Sequence, residues 1–117
     1  MRYAIFILVL LLCAGCDPMP SKVTVKSQRI SADGKHVATA FIRDSGATTS
    51  WSPQVDLRPV GRRMNKYGNI FMGYGSPKVD TEWVSPSNLV VYCDTNCTTD
   101  LFVSNYHGIF VERRHLK

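Results

Sequence analysis

Nowhere does the sequence hold an apolar run long enough to cross a bilayer. The longest, Ala4–Leu12, is nine residues, or twelve if extended to Gly15, against the roughly 20 of a spanning helix, which argues against a permanent helical anchor. Histidine is scarce, and His36, His107 and His115 stand far apart. Cys93-x-x-x-Cys97 is not the usual Cys-x-x-Cys knuckle spacing, so a metal site has little to be built from. The nine acidic residues are scattered singly, and no pair stands out as acid and base. No Gly-x-Ser-x-Gly elbow occurs. Basic residues outnumber acidic ones by 14 to 9, yet only Arg62-Arg63-Lys66 and Arg113-Arg114-Lys117 form clusters, too few for a nucleic-acid footprint. These absences point away from an enzyme, from a metal or cofactor, and from nucleic acid as a partner.

What is present begins with a leader. Met1-Arg2 gives a short positive region, Ala4–Leu12 an apolar one, and Ala14-Gly15 places small residues before Cys16. The stretch Leu12-Cys13-Ala14-Gly15-Cys16 resembles the lipobox of bacterial lipoproteins, with Cys13 where that family usually has leucine. The resemblance implies that residues 1–15 are a removable signal peptide and that Cys16 receives the lipid. Several acyl chains on one residue hold a protein firmly to a membrane, where a single chain would not. It also places the chain in the cell envelope, facing the periplasm or the exterior. Asp17 resembles a signal for retention in the inner membrane. Loss of the leader removes Arg2 and no acid, lowering the formal net charge from +5 to +4.

Four cysteines are present. With Cys13 removed and Cys16 capped by lipid, Cys93 and Cys97 are the two thiols left in an oxidising compartment, and such a pair reads first as a disulfide. The loop it closes is short, worth about 2 kcal/mol in the chain-entropy model. A metal held with a histidine is the competing reading.

Residues 16–21 carry Pro18 and Pro20 and read as an extended tether. Residues 22–117 are expected to form one all-β domain, an antiparallel sandwich or small barrel of seven or eight short strands. The reason is period-two alternation: Val23 and Val25, then 36–43, Val55 and Leu57, 69–74, 79–84, 88–93, 101–104 and 108–113. Turn signals separate these runs, and Gly68, Gly73, Gly75 and Gly108 fit turns and bulges. Trp83, Tyr74 and Tyr92 fit the core or cross-strand pairs. Ile30 to Ala38 resembles the strand–turn–strand opening of a TolB-like propeller blade, a likeness confined to the hairpin because the chain holds two blades at best.

Arg43 to Gln54 is the stretch that strand formation explains least. It is small and polar, with Trp51 near its end. With the segments that follow it, the Gly46-Ala47-Thr48-Thr49 core resembles a family of small exported bacterial proteins without assigned function, which implies a shared fold and no activity. On one connection the stretch offers Arg43, Asp44, Thr48, Thr49, Trp51 and Gln54, suited to a glycan or a protein surface. The alternative is a self-satisfied loop, with its polar groups bonded to backbone and Trp51 folded onto the core. The expected function is therefore a lipid-anchored envelope module that binds or supports. A small envelope hydrolase, and an immunity or exclusion lipoprotein of a mobile element, are the alternatives.

Overall fold

The structure, a computed structural model, describes residues 22–44 and 51–116. The leader, Cys16, the tether, Thr48 and Thr49 lie outside the described residues. Among those described there are nine strands and no helix: β1 (Lys22–Ile30), β2 (His36–Asp44), β3 (Ser52–Pro59), β4 (Phe71–Tyr74), β5 (Val79–Ser85), β6 (Asn88–Cys93), β7 (Thr98–Phe102), β8 (Asn105–Tyr106) and β9 (Ile109–His115). They form a sandwich of two open sheets, ordered β1-β2-β3-β4-β7 and β5-β6-β9-β8. Neither sheet closes into a barrel.

The alternation read from the sequence is what fills the space between the sheets. Ala38, Ala40, Ile42, Val55, Leu57 and Phe71 point inward from the first sheet, and Val79, Leu89, Val91, Ile109 and Val111 from the second. Period-two alternation puts every second side chain on that face. All pairings among the described residues are antiparallel except one. β6 and β9 run parallel, with Leu89 opposite Val111 and Val91 opposite Arg113. The expectation of an antiparallel fold thus holds everywhere but at this pair.

The chain crosses from the second sheet to the first between β6 and β7, and Cys93 and Cys97 are joined there by a disulfide with Cα atoms 6.1 Å apart. Gly73 makes room for it, since a Cβ there would lie 2.7 Å from Cys97 Sγ and 3.0 Å from the Thr98 carbonyl. Arg113 Nη2 donates to the Cys97 carbonyl at 3.1 Å, tying β9 to the same crossover.

Two proline-bearing ends extend β3 well beyond the expected Val55–Leu57 core. Pro53 has no N–H to give, and the nearby Gly73 carbonyl accepts instead from Ser52 Oγ at 2.7 Å. On the other side, β4 starts two residues later than expected because the Asn69 side chain stands in for a strand residue. Its Oδ1 accepts from Leu57 N–H at 2.8 Å and its Nδ2 donates to the Leu57 carbonyl at 2.7 Å.

β1 is an edge strand, exposed almost throughout. A bulge between Val25 and Ser27 interrupts its pairing at Lys26, a device that discourages edge-to-edge association. Past the bulge β1 is clasped to β5 of the other sheet. Arg29 grips Asp80 through Nε and Nη2 at 3.1–3.2 Å, Ser27 Oγ donates to Asp80 at 2.8 Å, and Trp83 Nε1 donates to the Arg29 carbonyl at 2.9 Å. Burial pushes the Asp80 carboxyl up, but hydrogen bonds from Arg29, Ser27 and the Thr81 N–H outweigh it and hold the group below the ordinary carboxylate range. Its folded value is thus below its unfolded one, so its contribution is complete above pH of about 4 and is lost as the pH falls through the lowered value. The urea midpoint of the native chain is expected to exceed that of Asp80→Asn at pH 6. The gap should narrow as the pH is taken below about 4, and a gap that widened in acid would contradict the clasp.

Candidate functional site

Arg43 and Asp44 are neighbours in sequence, and the pleat of β2 sends them to opposite faces of the sheet. That separates the residues that the sequence groups on one connection. Arg43 and Gln54 go to the outer face, where the 60–70 loop lies across β2 and β3. Arg43 is 7% exposed. Its guanidinium donates to the Lys66 carbonyl and sits over the Tyr67 ring at 4.6 Å. Gln54 lies within β3 and not on a loop, and it is buried. Its Nε2 donates to Ser52 Oγ at 3.0 Å and its Oε1 accepts from Gly68 N–H at 2.8 Å. Both side chains hold the loop down, so neither presents a contact surface.

The same face carries a buried charge pair beneath that loop. Asp56 is fully buried, and Arg58 Nη1 donates to it at 2.8 Å and to Thr39 Oγ1 at 3.0 Å. Asn65, from the loop, donates to the other Asp56 oxygen. Gly68 is fixed by space: a Cβ there would lie 2.4 Å from the Phe71 carbonyl and 2.8 Å from that of Val55.

Asp44 and Trp51 face the other way. Trp51 is 46% exposed and stands at the entry to β3. The two line a shallow groove of about 210 Å³, floored by Ile42 and Pro77 and flanked by Lys22, Thr24 and Lys26 of β1. Lys22 and Asp44 are cross-strand partners, as are Thr24 and Ile42. The groove is thus the inner face of the first sheet continued beyond the β1–β5 clasp. Its chemistry is an aromatic plate over an apolar floor, rimmed by two ammonium groups, a hydroxyl and a carboxylate. An indole face stacks on the C–H face of a sugar or on an apolar side chain, and the rim groups bond hydroxyls or charges.

Lys22, Thr24 and Lys26 escaped the sequence reading, although their spacing of two on a strand places them on one face. Trp83 and Tyr92 lie half-buried opposite Leu89 and Asp80, with the Tyr92 hydroxyl 3.4 Å from Glu82, whereas Tyr74 is 45% exposed. Asp80 and Glu82 share one groove with Thr81, and His36 and His107 share another. No histidine lines the groove that holds Asp80 and Glu82. Among the described residues no group of three or more metal-ligating side chains gathers, and no helix is long and apolar enough to cross a membrane.

Compared with protein-family profiles, with curated proteins and with solved structures, the chain matches none.

Proposed function

We propose that this chain is a lipid-anchored protein of the bacterial cell envelope whose β-sandwich is a binding module, with the Trp51 groove as its contact surface for an envelope glycan or protein. The single observation that carries the binding role is the exposure of Trp51 on a groove that also holds charged and hydroxyl groups. Tryptophan is enriched among the few residues that carry most of the energy of an interface. The anchor rests on the order of the leader, with Cys16 after Ala14-Gly15, and Asp17 favours the inner membrane. Lys22 is six residues from Cys16, a reach of about 20 Å when extended, which keeps the domain close to the bilayer.

The binding claim is tested by titrating the full chain with soluble cell-wall glycan fragments while following Trp51 fluorescence in a Trp83→Phe background. A saturable shift is expected, and Trp51→Ala, read by calorimetry, is expected to weaken binding at least tenfold, a change of about 1.4 kcal/mol. Unchanged affinity in Trp51→Ala would remove the groove as the contact surface. The anchor is tested by mass spectrometry of the membrane fraction, where an acylated fragment beginning at Cys16 is expected. An intact Met1 or an unmodified Cys16 would overturn it.

A further inference from the structure

At the far end of the β2–β3 ladder from the Trp51 groove, three distant segments bring basic side chains together. His36 opens β2, Arg58 closes β3, Arg62 and Arg63 follow on the loop, and His107 arrives from the β8–β9 turn. With Asn65 and Tyr106 they line a basin of about 400 Å³, within the range of small-ligand sites, about 300–1,000 Å³. His36 and Asp44 are eight residues apart on one strand, so the basin and the groove are separated by about 27 Å.

No carboxylate lines this basin. The nearest ones are committed elsewhere. Asp56 is buried beneath it and bonded to Arg58 and Asn65. Asp33, on the adjoining turn beside Lys35 and His36, accepts from Ser31 Oγ at 2.6 Å and from Lys35 N–H at 3.1 Å. Arg62 and Arg63 form no ion pair among the described residues. The frame is also preset. Arg58 Nε donates to the Arg62 carbonyl at 2.9 Å, and Val60 N–H donates to the Lys35 carbonyl at 2.9 Å.

A second observation concerns His107 alone. Tyr106 pairs with Ile109, leaving His107 and Gly108 as a two-residue hairpin loop with φ of 48° and 89°. Both values are positive, as in a type I′ turn, whose first position strongly favours Asn, Asp or Gly. Histidine, like asparagine and aspartate, is among the non-glycine residues enriched at positive φ. Its imidazole stands edge-on to Tyr106 at 4.6 Å and lines the basin. The turn thus delivers an imidazole to a basin already lined by three arginines.

We propose that this basin is a binding site for a phosphate-bearing sugar, with Arg62 and Arg63 holding the phosphate oxygens and with His36 and His107 completing the donor set. Guanidinium forks match phosphate oxygens two at a time. The volume leaves room for a ring beyond the phosphate, with Tyr106 as a stacking face. The site stands independently of the lipid anchor and of the Trp51 groove.

The test is calorimetric titration of the full chain with glucose 1-phosphate, with inorganic phosphate, and with phosphatidylglycerol vesicles as separate arms. Glucose 1-phosphate is expected to bind saturably and to shift the His36 and His107 ring resonances. The Arg62→Ala/Arg63→Ala double variant is expected to weaken it by at least tenfold. His107→Asn supplies the control for folding, because asparagine suits the turn. It is expected to leave the thermal midpoint unchanged or raised while affinity falls several-fold. Affinity untouched by these variants would overturn the proposal. So would inorganic phosphate binding as tightly as the sugar phosphate, or an arginine-dependent affinity confined to the vesicles.

Discussion

Asp56→Ala is expected to cost about 3–5 kcal/mol of folding stability, the usual penalty for removing one partner of a buried ion pair. The carboxylate is fully buried and takes hydrogen bonds from Arg58 and from Asn65. Truncation would leave the nearly buried Arg58 guanidinium without the carboxylate that offsets its desolvation. A domain of this size has about 5–15 kcal/mol in all, and each kcal/mol moves its melting temperature by about 4–8 °C. The loss should therefore be plain in both urea and thermal unfolding. Asp56→Asn, which keeps an acceptor oxygen in the same place, should lose clearly less. Because Asn65 is bound to this carboxylate, the variant should also release the 60–70 loop, exposing Arg62 and Arg63 to trypsin while the sheets still stand. Native-like stability together with native-like trypsin resistance would show that the pair contributes little.

Phe71→Ala should be as costly, at about 3–5 kcal/mol, for a different reason. Phe71 is among the largest fully buried side chains and lies on β4, which has only four residues. Its ring meets the inner faces of both sheets, with the Arg113 guanidinium 5.9 Å from its centroid. β7 is hydrogen-bonded to the first sheet only through β4, so a cavity beside β4 weakens two strands at once. The disulfide crossover leads into β7, and faster reduction of Cys93–Cys97 is the expected secondary sign. Phe71→Leu, which refills much of the space, separates loss of volume from loss of the ring. A destabilisation below about 1 kcal/mol would mean that the neighbouring strands collapse onto the gap.

The all-β class was legible from short runs rich in β-branched and aromatic residues between turn signals. His36–Arg43 and Asn88–Cys93 read as strands and became β2 and β6. The reading failed where side chains do the work of backbone. Ser52-Pro53-Gln54 has the composition of a turn, and it lies in a central strand because the Ser52 hydroxyl supplies a donor that proline lacks. Asn69 likewise imitates a strand residue, which displaced the start of β4. The site was half legible. The sequence marks Asp44 and Trp51, but nothing local tells that Arg43 and Gln54 turn to the opposite face to hold a loop that follows them. Lys22, Thr24 and Lys26 join the groove only through pairing with β2, and the basin through three segments that sequence distance keeps apart. The parallel alignment of β6 and β9 was invisible for the same reason: the connection between them, residues 94–108, contains strands where a crossover helix is the usual signal.

That parallel pair also governs the order in which the molecule can be assembled. A chain that emerges N-terminus first completes the β5–β6 hairpin early, and β6 then waits with an open flank while β7 is sent to the other sheet. Its second neighbour arrives only when residues 109–115 are free. Until then the Leu89–Val91 ridge is half covered, and slow, long-range closure of this type leaves an interval in which another unpaired strand can take the vacant place. Docking of β9 closes that interval.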